Sequence, residues 1–344
     1  MYDKLLKWSG IIGSCLMLLM IGGMLYYSSQ KSLVYVQAEE QYGTAEYDQE
    51  ESIWELIQIT PEARENQNKF YIPVAEQITQ DAIHIENDSM NRRLKITIDG
   101  MNLSFFEKNV MYGKLDGILQ IQAGEQKSGI VLYLIMDHIY EYEAVLENQK
   151  LGLVFQRPAE IYDRIVVLDA GHGGSDEGIR QNGIVESEFC MELAERVKAK
   201  LEAEGICVYL TRGAGEAPDM IRRMSFAQET EADLFLSIHL SEGEEYGISA
   251  YYNDTYFIPG LNNVMFADCL VKETSAAVNN RGNGIFAVEQ TDAELLCAVE
   301  TIAARLELGC PADLQEAALL KRDDYKDDLA EGISRAIQEC LDER

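Results

Sequence analysis

Two short stretches of the chain are apolar without alternation: Ile165-Val166-Val167-Leu168, and Leu234-Phe235-Leu236 leading into Ser237-Ile238-His239. Runs of this length bounded by polar residues read as strands buried on both faces, as in a parallel sheet covered by helices. On this pattern strands are expected at 164–170, 206–211, 234–239, 248–252 and 304–308. Between them Cys190, Ala194, Val197 and Leu201 recur at helical spacing, which predicts a helix over 187–203. Pro218 suits the opening of a second helix over 219–230, and 325–341 reads as a terminal helix. Alternating strands and helices predict an α/β domain over 161–344, with a largely parallel twisted sheet flanked by helices.

Upstream the period changes. Leu94-Lys95-Ile96-Thr97-Ile98-Asp99 alternates strictly, and Asp99-Gly100 and Asp116-Gly117 supply turn signals. Further strands are expected at 118–121, 130–136 and 151–155. Residues 71–158 therefore read as a small all-β, sandwich-like domain, with a hinge at Arg157-Pro158-Ala159-Glu160. Residues 31–70 are polar and acidic, a linker in composition, in which Ile53 to Ile59 reads as a transient helix.

Residues 1–30 differ again. Trp8 to Gln30 carries no charge and is long enough to cross a bilayer core of roughly 30 Å. Lys4 and Lys7 precede it, and Glu39 and Glu40 follow. That asymmetry predicts a single-pass anchor through residues 8–30, with a cytoplasmic N-terminus and everything beyond it exported to the outside of the cell membrane. Cleavage after Val36-Gln37-Ala38 and lipidation at Cys15 are weaker alternatives, and both would also export the chain.

Charge narrows the partners. Against 29 Lys and Arg stand 59 Asp and Glu, a formal charge of −30. A nucleic-acid partner needs a basic face, so none is expected. Seven cysteines form no C-x-x-C pair, so no thiolate metal site is expected, and most fall on apolar positions as small buried hydrophobes.

The candidate chemistry rests on histidines. The chain has 4. His84 and His138 lie among apolar residues and read as ordinary sheet positions. His172, in Asp169-Ala170-Gly171-His172-Gly173-Gly174, and His239 each end an apolar strand, where open α/β sheets place their ligands. Two imidazoles and a carboxylate, with a fourth position left for water, make a hydrolytic zinc site. Glu186, where a loop enters a helix, is the third candidate ligand. Glu307, a carboxylate in an apolar strand, is the candidate general base; a salt-bridged structural glutamate is the alternative. The glycine loop lacks a Gly-Lys-Ser/Thr ending or a spaced G-x-G-x-x-G, so it makes a poor nucleotide loop.

With these residues in place, 163–341 resembles the zinc-dependent N-acetylmuramoyl-L-alanine amidases of catalytic family 3. The glycine–histidine loop, Glu186 after Gly183, Thr211-Arg212, Arg223 with Ala227, Ser237-Ile238-His239, Arg281-Gly282 and Leu306-Glu307-Leu308-Gly309 stand in the family's order. The resemblance implies Zn2+ held by His172, Glu186 and His239, catalysis by Glu307, and peptidoglycan as substrate. The scissile bond would be the amide between N-acetylmuramic acid and L-alanine of the stem peptide. Asp169 would orient a zinc-bound histidine. Arg223, Arg281 and Ser241 are candidate substrate contacts, with structural ion pairs the alternative for both arginines. Where the family has Ala-Asn after its second histidine, this chain has Leu240-Ser241, and the stretch from Arg281 to Glu307 is longer than usual. The β domain looks like the AMIN modules of such amidases, which would imply contact with the wall or with division proteins. A module that keeps the metal but has lost turnover, serving to bind or regulate, is the rival reading; a metallopeptidase cutting within the stem peptide is a third.

Overall fold

The computed structural model describes residues 55–56 and 69–343, apart from 244–245, 255–260, 289–295 and 297–298. The anchor expected at 8–30 and most of the 31–70 linker lie outside the described residues. Among the described residues, no helix is long and apolar enough to cross a membrane.

The first half of the described chain is built of antiparallel strands. One sheet runs β1 (Glu55–Leu56), β6 (Ile118–Glu125), β7 (Gly129–Met136), β4 (Arg93–Asp99), β3 (Ile83–Asp88); the other runs β5 (Tyr112–Gly113), β2 (Phe70–Pro73), β9 (Lys150–Gln156), β8 (Glu141–Glu147). Leu94, Ile96 and Ile98 are buried while Lys95 and Thr97 are not, so the alternation in β4 does set one face inward. Those side chains share a core with Phe70, Ile72, Leu151 and Leu153 of the second sheet. Glu55–Leu56, expected within a transient helix, pairs instead with Ala123 and Gln122 as an edge strand. Arg157-Pro158-Ala159-Glu160, read as a hinge, leads into a one-turn helix, α1 (Pro158–Ile161), in which the Glu160 side chain accepts from the Arg157 N–H at 2.9 Å.

The second half is an α/β layer structure. Its sheet is ordered β13 (Cys207–Leu210), β10 (Ile165–Ala170), β14 (Leu234–His239), β17 (Ile302–Glu307), β15 (Ile248–Tyr252), β16 (Gly282–Ala287). The first four strands are parallel, as the apolar runs predict. The last two reverse, since β15 is antiparallel to β17 and parallel to β16, so the sheet is mixed rather than parallel to its edge. The cause is the connection from His239 to Ile248, too short for the helical crossover that a parallel neighbour requires. A small hairpin, β11 (Arg180–Gln181) and β12 (Ile184–Val185), sits in the loop after β10.

Helices α2 (Glu186–Ala203), α4 (Asn263–Val278) and α6 (Asp323–Asp342) cover one face of this sheet; α5 (Leu314–Leu320) is packed against α6. The other face carries α3 (Met220–Glu229) and is closed in part by the β domain: Met90 and Ile139 join Val167, Tyr209, Phe226 and Phe235 in one apolar cluster. Polar contacts reinforce it. Tyr209 donates its hydroxyl to Glu141, and Arg157 pairs with Glu231 at 3.2 Å.

Candidate metal centre and active site

The strand β10 delivers the chain to a bend in which His172 adopts a left-handed conformation, φ 59°, stabilised by the reciprocal backbone bridge between Gly173 and Asp176. The bend aims the imidazole back over the sheet edge. The β11–β12 hairpin then returns the chain so that Glu186 opens α2, with its side chain buried. His239 arrives at the end of β14. Three elements far apart in sequence thus meet at one carboxylate.

The geometry is close. His172 Nε2 lies 3.1 Å from Glu186 Oε2, and His239 Nδ1 lies 3.0 Å from Glu186 Oε1. The two rings are 5.1 Å apart and nearly perpendicular. One ligating atom from each of the three residues lies within 4.8 Å of the other two. Backbone N–H groups of Ile179 and Leu240 donate to the two Glu186 oxygens at 2.9 and 3.0 Å. Burial pushes this carboxyl up, yet the hydrogen bonds from His172, His239, Ile179 and Leu240 hold it well below the usual carboxylate range. Hydrogen bonding to Glu186 raises the His172 imidazole, while burial lowers that of His239. A carboxylate held ionised between two imidazoles suits a divalent cation, which replaces the protons that would otherwise sit there. The two nitrogens face different oxygens of Glu186, at 3.1 and 3.0 Å, and two imidazoles with one carboxylate form a donor set that could hold a divalent metal.

Space around the three ligands is limited. A Cβ added at Gly171 would lie 2.4 Å from His239 Cε1, and one at Gly178 would lie 2.6 Å from Glu186 Oε2. Both positions admit only glycine without displacing a ligand.

Asp169 touches neither imidazole. It is buried beneath the bend, accepting from Thr211 Oγ1 at 2.7 Å, Ser237 Oγ at 2.6 Å and Arg223 Nη1 at 2.7 Å. The carboxylate that orients a histidine is Asp176, whose Oδ2 lies 2.9 Å from His172 Nδ1 and so leaves Nε2 free for a metal. Arg223 is turned to the interior as well: its Nη1 also reaches the Ala170 carbonyl, its Nη2 the His172 carbonyl and its Nε the Pro218 carbonyl. That is the ion-pair alternative rather than a substrate contact. Arg212 does related work, donating to the carbonyls of Ala170, Gly171 and Ser187.

Glu307 pairs in register with His239 across β17 and β14, so its side chain projects from the same face, about 5 Å along the sheet. It is nearly buried, and burial raises its pKa. The Arg305 charge opposes that rise, with Nη2 2.8 Å from Oε1, as do the hydroxyls of Ser241 and Tyr251. Ser241 is therefore placed on the catalytic candidate. Arg281 is exposed at the start of β16, two strands from Glu307, with no contact to the three clustered ligands.

The sequence profile described as Amidase_3, N-acetylmuramoyl-L-alanine amidase, matches residues 166–339. The chain belongs to this amidase family. Among curated relatives it is 27% identical over 190 residues to the uncharacterized protein YqiI of Bacillus subtilis, covering 55% of this chain and 90% of that protein. It is 30% identical over 172 residues to the N-acetylmuramoyl-L-alanine amidase LytC of the same organism, covering 49% of this chain but only 34% of LytC. Among solved structures, the catalytic domain of the amidase CwlV from Bacillus (Paenibacillus) polymyxa var. colistinus aligns over 53% of this chain and 99% of that one, at 27% identity and a TM-score of 0.48.

Several residues of this amidase's site escape a reading by pattern. Asp176 lies in a glycine-rich bend with no periodicity to mark it. Its one signal is its position four residues after a candidate ligand. Tyr251 looks like an ordinary member of a strand, and only the cross-strand register brings it near Glu307. Arg305, two residues before Glu307 on β17, shares its face by strand alternation, and that spacing was the available signal. His84 and His138 lie in the β domain, near Asp99 at 3.9 Å and Asp137 at 3.0 Å respectively, away from the cluster.

Proposed function

We propose that this chain is a zinc-dependent N-acetylmuramoyl-L-alanine amidase that hydrolyses the amide between the lactyl group of N-acetylmuramic acid and L-alanine of the stem peptide in peptidoglycan. The observation that carries the reading is the convergence of His172, Glu186 and His239 within 4.8 Å, with Glu307 in register beside His239. His172 Nε2, His239 Nδ1 and Glu186 would hold the zinc. When bound, it supplies Lewis-acid polarisation of the scissile carbonyl and acidifies a water.

Glu307 takes the proton of the attacking water and passes it to the departing alanine nitrogen. Its burial suits this role, because a carboxyl raised toward neutrality both accepts and returns a proton readily. Arg305, Ser241 and Tyr251 fix its orientation from three sides. Asp176 holds His172 in the tautomer that presents Nε2.

The wider setting is part of the same proposal. The uncharged run at 8–30 supports a membrane anchor with the enzyme outside the cell, facing its polymeric substrate. The β domain, AMIN-like in position and strand pattern, would then serve contact with the wall or with wall-building partners. The Arg305–Glu307 ion pair gives some weight to the rival reading, a metal-retaining module without turnover.

The experiment is muropeptide analysis. The purified zinc-loaded chain should release intact stem peptides from peptidoglycan, with unmodified muramic acid left on the glycan. A folded, zinc-loaded protein that releases nothing would sink the enzymatic reading, and fragments cut within the stem peptide would point to a peptidase.

A further inference from the structure

The two flanks of the metal centre differ in charge, and the proposed chemistry fixes which part of the substrate meets each. Resting on the amidase reading, Glu307 must protonate the departing alanine nitrogen, so the stem peptide leaves the metal on the Glu307 side. The muramoyl acyl group then lies on the His172 side.

On the His172 side a cavity of about 370 Å³ opens between the metal bend and the start of α3. Ala217, Pro218 and Met220 give it an apolar wall, His172 and His239 open into it, and Asp169, Asp176 and Asp219 are the carboxylates that line it. Its arginine, Arg223, is already committed to Asp169 and to three carbonyls. A neutral sugar and its lactyl ether suit such a wall; an anionic group there would meet three carboxylates and an arginine already committed elsewhere.

The Glu307 side is different. Arg305 touches the catalytic carboxylate through Nη2, with its guanidinium 5.9 Å from the centre of the Tyr251 ring. Its side chain is 31% exposed, and its Nε is buried without a partner. A charged residue on a largely covered sheet face is costly unless it is paired or used, and Glu307 satisfies one edge of a fork that has five donors. In a chain of formal charge −30, the Glu307 flank thus carries a guanidinium with donors left over.

We infer that Arg305 is a specificity-determining residue that reads the free carboxylate of the acidic residue following alanine in the stem peptide. Consecutive Cα atoms are about 3.8 Å apart, so that carboxylate falls within reach of a guanidinium that already touches the group protonating the scissile nitrogen. Arg305 has donors to spare for it, and a carboxylate accepts a charge-assisted pair better than an amide does. A substrate whose second residue is amidated should therefore bind less well.

The test compares two soluble muramoyl peptides that differ only in that carboxyl, free in one and amidated in the other, with KM and kcat measured for each on the zinc-loaded full chain. Wild type should show a KM about tenfold higher for the amidated peptide, the loss of one charge-assisted contact. Arg305→Met should raise KM for the free acid to the amidated level and erase the ratio, while Arg305→Lys should keep part of it. If Arg305→Met lowers kcat equally on both peptides and leaves the KM ratio intact, Arg305 only positions Glu307 and the inference falls. It falls equally if wild type does not discriminate. Should Arg305→Met not fold, the wild-type ratio and Arg305→Lys decide. Failure to cleave either peptide would overturn the amidase reading itself and carry this inference with it.

Discussion

Arg222 and Arg223, adjacent on α3, hold different parts of the molecule. Arg222 donates from Nε and Nη2 to the Met90 carbonyl of the β domain, the first at 2.7 Å, and pairs with Glu229 at 3.1 Å. Arg223 holds Asp169 and the carbonyls of Ala170 and His172 in the metal bend. One short helix thus ties the docking of the β domain to the strand end that carries a metal ligand.

Arg222→Ala removes the contacts to Met90 and should cost about 1.5–3 kcal/mol of stability, the range for hydrogen bonds made by a charged group. Because α3 also holds the bend, hydrogen exchange should quicken both around Ser89–Arg92 and around 170–173. A response confined to the β domain would show that α3 does not transmit the contact.

Arg223→Met would leave Asp169 ionised and unpaired in the interior, an expected loss of about 3–5 kcal/mol by denaturant unfolding. A pH signature accompanies it. Burial pushes the Asp169 carboxyl up, but the Arg223 charge and the hydrogen bonds from Ser237, Thr211 and Arg223 hold it below its ordinary value. A depressed native pKa adds stability above the unfolded value, about 3.9, and that stability is lost as pH falls through the native value. Acid unfolding curves should therefore flatten in Arg223→Met relative to wild type.

Gly171→Ala and Gly178→Ala should each lower zinc content sharply while the far-ultraviolet circular dichroism stays close to wild type. Their Cβ atoms would fall 2.4 Å from the His239 ring and 2.6 Å from the Glu186 carboxylate, so the ligands must move apart. Full zinc occupancy in either variant, measured by elemental analysis, would contradict the packing described for the site.

Glu307→Gln should lower kcat by about 10²–10⁴, the usual contribution of a general base, with zinc stoichiometry unchanged. The glutamine keeps the shape and can still contact Ser241 and Tyr251. Equal loss of zinc and activity would make Glu307 a structural partner of the metal site rather than the proton carrier.

The sequence already marks the strands at β10 and β14, because burial on both faces writes itself as an unbroken apolar run. It marks α2 through the spacing of Cys190, Ala194, Val197 and Leu201, all of them completely buried. The sequence does not mark α4, which packs on both the sheet and α6, because a helix apolar on more than one side loses its periodicity. β16 is short, glycine-containing and at the sheet edge, where neither face imposes a pattern.

For the site, the residue types and their places at strand ends are local properties, so His172, His239, Glu186 and Glu307 stand out in one dimension. Which side chains touch them depends on the path of the folded backbone. Asp176 rather than Asp169 lies against His172 because the bend reverses the chain through left-handed residues, and the sequence shows the glycines but not the direction they aim the imidazole. Tyr251 reaches Glu307 only because β15 inserts antiparallel beside β17, whereas Arg305 precedes Glu307 by two residues on the same strand. The sequence by itself determined the chemical inventory and the elements that carry it, since burial and chain stiffness act residue by residue. Tertiary structure alone decided that Glu186 meets His239 and that Asp169 meets Arg223, since those pairs depend on strand order and helix packing, set by contacts between segments more than 50 residues apart.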